Sequence, residues 1–296
     1  MARSVTVRVP ATSANLGPGF DALGVALDWA GEITLSEVAA PAPPPAGSME
    51  RLALMAAVLL FEQAGQPMPP LAAEYRGDMP IGRGLGMSAA AFAGGLVGAN
   101  ELLGLVGLDG LIPSAVRLEG HGDNIIPALL GGLCVVAEDD GGPVWCRIEP
   151  PDDLQVALFV PDFDMPTHES RERLPVSLTR GQAVHNIARS ALLVAAVTQH
   201  RYDLLGTATQ DILHQPARAT LFPAMLPALD AARKAGAHGA YLSGGGSTLA
   251  AFVTEHAESV AGAMREAAAA HGIGGVTRVV SLSGRGTEVV SVVGAR

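Results

Sequence analysis

Between Pro80 and Leu103 the chain reads PIGRGLGMSAAAFAGGLVGANELL, with glycines crowded at the front and small helix formers behind. This predicts a loop feeding directly into a helix, with Ser88 near the helix N-terminus. Gly82, Gly84 and Gly86 remove Cβ atoms at alternate positions, so main-chain N–H groups can approach an anion closely. The following helix aims its positive dipole end at the same place. Ser88 offers a hydroxyl suited to a phosphate or a hydrated Mg²⁺, and Arg83 adds charge. An ordinary glycine-rich turn before an Ala-rich helix would use the same residues. Gly84, Gly86 and Ala89 also fit the dinucleotide pattern G-x-G-x-x-A, but Pro80 and Gly82 interrupt the strand which that pattern needs before it.

The cations narrow the chemistry. Of the 19 Lys plus Arg residues, 18 are Arg and only Lys234 is Lys. No GK[ST] follows a glycine loop, so a P-loop site with its lysine is excluded. A Schiff-base lysine for pyridoxal phosphate is disfavoured for the same reason. The net charge of −10, without a basic run and with only 4% aromatic residues, argues against nucleic acid as a partner. Mean hydropathy is +0.32, yet the longest apolar run, Leu52–Phe61, is too short to span a bilayer. No signal-peptide core follows the N-terminus, so no membrane partner is expected. Cys134 and Cys146 have neither metal nor redox spacing and read as free thiols of a reducing cytoplasm.

Periodicity predicts an α+β chain. Strands are expected at 5–9, 31–38, 71–77, 133–138, 144–148 and 155–160. Residues 11–24 read as a loop and 40–47 as a proline-rich connector. Ser48 is placed as the cap of a helix reaching Gly65. Further helices are expected at 112–120, from His121 to Gly131, and at 180–199, 201–214, 223–235 and 255–271. After residue 150 the order strand, helices, two strands, helix, strand suggests a ferredoxin-like sandwich. A domain boundary is expected near 150, giving domains 1–150 and 151–296.

Two further segments carry concentrated polar groups. In Glu119-Gly120-His121-Gly122-Asp123-Asn124, Glu119 can bind Mg²⁺, and His121, Asp123 and Asn124 can face a polar substrate. A capped helix start with a solvated Glu119 explains the same residues. Ser243-Gly244-Gly245-Gly246-Ser247 reads as a hairpin turn or a second anion loop. Asn15, Asp21, Thr167, Arg171 and Arg218 are dispersed, and each arginine suits a carboxylate or a phosphate.

Taken in order, these blocks resemble the homoserine kinase branch of the GHMP small-molecule kinases. VRVPATSANLGPGFDALGVALD is similar to that branch's opening segment, and PIGRGLGMSAAA to the superfamily phosphate loop P-x-x-x-G-L-G-S-S-A-A. EGHGDNIIPALLGGL, PTHESRERLP and LSGGGSTLAAF resemble three later blocks in family order. The resemblance implies a two-domain GHMP kinase fold: an N-terminal α/β domain like ribosomal protein S5 domain 2 and a C-terminal ferredoxin-like α/β sandwich. It implies ATP and Mg²⁺, with L-homoserine as the small-molecule substrate, in the cytoplasm; a homodimer rests on the resemblance alone. Pro80, Gly82, Arg83, Gly84, Leu85, Gly86, Met87, Ser88 and Ala89 would form the ATP phosphate site, with Ser88 and Glu119 on the metal. Asn15, Asp21, His121, Asp123, Asn124, Thr167, Arg171, Arg218, Ser243, Gly244 and Gly245 would form the substrate site. Ser88, Glu119, Asn124 and Asn15 would serve catalysis. Related kinases use an aspartate base where this chain has Asn124, which takes no proton at pH 7. The substrate hydroxyl is therefore expected to be oriented by hydrogen bonds and to lose its proton late.

Three departures from the pattern stand out. Met87 replaces the first Ser of the Ser-Ser pair, Ser247 replaces a Pro, and residues 39–50 lack an Asn-Leu-Val stretch. Two other expectations stay open: a GHMP kinase for another small carboxylate-bearing alcohol, since Arg171 and Arg218 do not choose homoserine uniquely, or a weakly active ligand-binding homologue, for which Met87 speaks.

Overall fold

The computed structural model describes residues 2–40, 45–105, 107–165 and 167–294, and only the backbone of Thr167 and His168. Two antiparallel sheets carry the architecture. The first contains β1 (Ser4–Ala14), β2 (Leu23–Glu37), β3 (Leu71–Arg76), β4 (Leu133–Asp139), β5 (Gly142–Ile148) and β10 (Glu288–Val293). Its order is β10-β1-β2-β4-β5, and β3 pairs with the outer half of β2 while β4 pairs with the inner half. Val5, Val7 and Val9 are fully buried on one face of β1, as their period-two spacing requires.

Three helices cover that face: α1 (Ser48–Gln63), α2 (Met87–Leu103) and α4 (Gly122–Leu130), with α3 (Ile112–Glu119) beside α4. Helix α2 is apolar nearly all round and is accordingly the central helix, buried along most of its length. Gly95 lets α1 approach, because a Cβ there would lie 2.1 Å from the Ala53 carbonyl oxygen.

The second sheet has the order β7-β8-β6-β9, from β6 (Gln155–Pro161), β7 (Gly239–Leu242), β8 (Leu249–Val253) and β9 (Gly275–Ser281). With α9 (Met225–Lys234) and α10 (Ala257–Ala269) packed on it, this is the ferredoxin-like arrangement expected from the order of elements. Shorter helices α5 (Thr167–Glu172), α7 (Leu205–Ala208) and α8 (Gln215–Arg218) and the long α6 (Arg180–Thr198) connect β6 to α9.

Several elements differ from expectation. Strand β1 continues to Ala14 and β2 begins at Leu23, so only 15–22 of the expected loop lacks regular structure. Ser48 does not cap α1; Gly47 occupies the cap with extended backbone, and Ser48 is the first helical residue. No continuous helix spans 201–214. A 3-10 turn and α7 end at Ala208, where β-branched Thr209 and then Asp211 follow. The Asp211 carboxylate accepts from the main-chain N–H groups of Leu213, His214 and Gln215 at 2.7–3.0 Å, which starts α8 afresh. Strand β10 was not expected at all. From within the 151–296 stretch it returns to the first sheet and pairs with β1 from Ser4↔Val293 to Arg8↔Glu288. Among the described residues no single helix is long and apolar enough to cross a membrane.

Candidate active site

A cleft of about 460 Å³ opens between the two sheets' domains. One wall is the loop 81–86 with the start of α2, and the facing wall is 244–246 with Met165 and Arg218. The loop conformation depends on glycine. Gly84 has φ +73°, and a Cβ there would sit 2.3 Å from the Ser243 carbonyl oxygen. Gly86 has φ +65°, and its Cβ would strike Thr12 Oγ1 at 1.8 Å. Gly86 is also the N-cap of α2 and provides no side chain to satisfy the first N–H groups of the helix. Those donors remain available to an anion in the cleft.

The two glycine loops are tied to each other. Ser243 Oγ donates to the Gly84 carbonyl at 2.6 Å and meets Ser13 Oγ at 2.8 Å. Thr248 N–H donates to the Arg83 carbonyl at 3.0 Å. Arg83 itself pairs with Asp164 and donates to the Asp162 carbonyl, so its charge is already engaged by the second domain. Ser247, where the family pattern has Pro, donates to the Phe163 carbonyl at 2.6 Å.

Ser88, in the first turn of α2, donates to Glu119 Oε1 at 2.7 Å. Glu119 ends α3, and burial pushes its carboxyl up to about 7, against the lowering effect of the Ser88 hydrogen bond. Beside it, His121 Nδ1 bonds to Asp123 Oδ1. Burial opposes the charged imidazole, but the Asp123 bond and the charges of Asp123, Asp21 and Glu119 hold its pKa above the ordinary value. Thr12 Oγ1 donates to Asn124 Oδ1 at 2.7 Å, which fixes the amide and leaves its Nδ2 to donate.

Asn15 has φ +67°; its Nδ2 donates to the Gly244 carbonyl and its Oδ1 accepts from Asp21 N–H. It thereby joins the first domain's loop to the second glycine loop. Arg171 holds Asp21 through two bonds of 2.7 and 2.9 Å. Arg218 is only 1% exposed, and its NH1 donates to the Gly244 carbonyl and to His214 Nδ1. Burial pulls its pKa down to about 10, and among the described residues no carboxylate pairs with it.

Of the residues expected at the site, Asn15, Asp21, Gly82–Ser88, Glu119, His121, Asp123, Asn124, Arg171, Arg218, Gly244 and Gly245 all line this cleft. Pro80, Ala89 and Ser243 do not; Ala89 is buried inside the first domain and Ser243 behind the glycine loops. Thr167 opens α5, and its side chain lies outside the described residues. Ser48, Met49, Leu52, Ile81, Asp164, Met165 and Gly246 line the cleft without having been expected there. Ser48 reads as a helix cap, and apolar Met49, Leu52, Ile81 and Met165 carry no chemical signal that could find them.

Comparison with known proteins agrees with this geometry. Residues 51–132 match the family model for the GHMP kinases N terminal domain, and residues 193–270 match that for GHMP kinases C terminal. The homoserine kinase of Desulfitobacterium hafniense is 38% identical over 97% of this chain and 100% of its own length. That of Moorella thermoacetica is 40% identical over 96% of this chain and 99% of its own. The chain belongs to the homoserine kinase family of GHMP kinases. Among solved structures, the homoserine kinase of Cytophaga hutchinsonii superposes with a TM-score of 0.88 at 29% identity, covering 97% of both chains. The mevalonate kinase of L. major, at 16% identity and a TM-score of 0.66, covers 93% of this chain and 95% of its own, and shares the GHMP kinase fold. As a GHMP kinase, the chain is an ATP-dependent phosphotransferase, and the two domains that form its cleft are the two matched by the family models.

Proposed function

We propose that the cleft transfers the γ-phosphoryl group of ATP to the hydroxyl of L-homoserine, giving ADP and O-phospho-L-homoserine. The observation that carries this reading is Arg218: a buried cation lining the kinase cleft, without a carboxylate partner among the described residues. Such a charge is costly unless an anion arrives, and a substrate carboxylate supplies one. Asp21 and Asp123, near the arginines, are suited to the substrate ammonium. Asn15, Gly244 and Gly245 shape the same end of the cleft, and Thr167 belongs to this substrate set. The triphosphate takes the free amides of Gly84–Ser88, and apolar Met49, Leu52 and Ile81 on that wall favour the nucleobase.

The donors at Ser88 and Glu119 fit Mg²⁺: two hard oxygens meet at a buried carboxyl that is held short of full ionisation in this arrangement. A magnesium ion held there would neutralise charge on the β- and γ-phosphates. The protein's own part is positioning. Asn124, fixed by Thr12, donates to the substrate hydroxyl and orients it. The new O–P bond forms as the β,γ-bridging P–O bond breaks, and the hydroxyl proton passes late to a phosphate oxygen. Positioning and charge complementarity then supply the acceleration without an enzyme base.

The same proposal places the reaction in a reducing cytoplasm, supported by the free thiols of Cys134 and Cys146. It also pairs two copies of the chain, supported by the outer edge of β10, unpaired among the described residues, where four valines are 40–59% exposed. The deciding assay supplies MgATP and a panel of small alcohols, scores ADP release, and includes a nicotinamide absorbance control. L-homoserine is expected to give the highest kcat/KM. Faster turnover of another carboxylate-bearing alcohol, or no turnover of any, would refute the assignment.

A further inference from the structure

Beneath Arg218 lies a polar cluster that phosphoryl transfer does not itself use. Asn186, Asp211, His214 and Gln215 are each less than 9% exposed, in the heart of the second domain's helical layer. Asp211 accepts from Asn186 Nδ2 at 2.6 Å and caps the turn that leads into α8. His214 sits fully buried on that turn. Its Nε2 lies 2.6 Å from the carbonyl oxygen of Gly17, in the first domain. A carbonyl only accepts, so Nε2 carries the proton. Burial pushes the imidazole pKa down to about 4, so the ring is neutral and Nδ1 has a free lone pair. Arg218 NH1 donates to that lone pair at 2.9 Å.

We propose that His214 is a positioning residue: its fixed tautomer links the Gly17 turn to Arg218 and aims the guanidinium into the cleft. This rests on the reading that Arg218 receives the substrate carboxylate. The geometry around Arg218 favours the role. Its carbon lies 5.5 Å from the centroid of the Phe20 ring, and the same ring packs 5.5 Å from His214. Its Nε is buried without an acceptor among the described residues. NH1 is thus pinned by two neutral acceptors, His214 and the Gly244 carbonyl; Asp21, Asp211 and Asp123 act on the guanidinium only through their charge, and among the described residues no carboxylate forms an ion pair with it. A carboxylate in place of His214 would neutralise the arginine, and an apolar residue would release it.

The test separates the two ring nitrogens in the intact enzyme. His214→Asn places an amide oxygen near the Nδ1 position and retains an acceptor for Arg218. His214→Gln reaches toward the Nε2 position and retains the donor to Gly17. KM is measured separately for L-homoserine and for ATP. His214→Gln is expected to raise the homoserine KM roughly ten-fold or more, as for a lost hydrogen bond to a charged group, with a change of under about two-fold for ATP. His214→Asn is expected to give a clearly smaller rise. Equal effects of Asn and Gln, or equal effects on both substrates, overturn the proposal. Arg218→Leu is the control: an unchanged homoserine KM there refutes the carboxylate reading itself, whatever His214 does. Should both His214 variants fail to fold, ¹⁵N shifts of the wild-type imidazole decide. An unprotonated Nδ1 at neutral pH supports the proposal, and an Nδ1–H tautomer overturns it.

Discussion

One end of the cleft is walled by the main-chain amides of 84–88; the other carries the guanidinium groups of Arg171, paired with Asp21, and Arg218. The first end is local in sequence and consists of one loop and one helix start. It works because Gly84 and Gly86 hold left-handed φ values that other residues resist, and because no side chain caps α2. The second end is assembled from β2's approach loop, α5, α8 and the second glycine loop, across two domains. Its charges need other side chains to aim them: Asp21 for Arg171 and His214 for Arg218. Backbone recognition tolerates the loss of a lysine; side-chain recognition requires a supporting layer.

The contrast can be broken experimentally. The largest effect is expected at the amide end. Ser88→Ala and Glu119→Gln should each lower kcat by about 100-fold or more, a loss typical of transition-state charge stabilisation, with little change in homoserine KM. Unchanged turnover in both would remove the metal assignment. At the other end Arg218→Leu should act mainly on binding, raising homoserine KM by roughly 10- to 100-fold while ATP KM holds. If it instead lowered kcat alone, the division of labour between the ends would be wrong. Gly86→Ala should destabilise the fold by about 1–3 kcal/mol, read as a lower Tm, because it adds a clash to a strained φ.

A smaller effect follows from His214. Its folded-state pKa is about 4 because of burial, against an ordinary value of 6.5. Between those values the unfolded chain binds the extra proton and the folded chain does not. The stability it contributes is therefore present above pH 6.5 and is lost as pH falls toward 4. Thermal melts should show Tm dropping across that window, with a shallower drop in His214→Asn. The smallest effect is expected at Lys234, which is 77% exposed and pairs with Asp230 at 2.6 Å on its own helix. Lys234→Arg should leave kcat and both KM values unchanged, since exposed pairs contribute about 0.2–1 kcal/mol at most. A loss of activity there would mean that a lysine does serve the nucleotide.

The amide end was legible in the sequence because its physics is local. Alternate glycines, a helix start and Ser88 are neighbours in the chain, and Glu119 is marked by a compact polar block. Arg218 could be named through family resemblance, but its burial could not be read. That burial depends on Phe20, Gly17 and Gly244, which are distant in sequence. The expected helix at 201–214 failed for a physical reason: Asp211 satisfies N–H groups that a continuous helix would have bonded internally. His214 then reads as one more helical residue, when it is the link between domains. Ser48 met the rule for a cap, yet the chain entered the helix one residue earlier. Short EVVSVV, with paired valines instead of period-two alternation, gave β10 no mark that distinguished it from irregular chain.

That last strand changes how the molecule comes into being. β1 and β10 lie almost a full chain apart in sequence, yet they are neighbours in one sheet. During synthesis β1 must wait for a strand from beyond the whole second domain before its outer edge is covered. The whole second domain is held at both ends by the first, like an insertion between two strands. The chain crosses between the two domains at two segments, 149–154 and 282–287. The latter is stitched down by Ser283 and Thr287 to Ala26, Gly132 and Leu129.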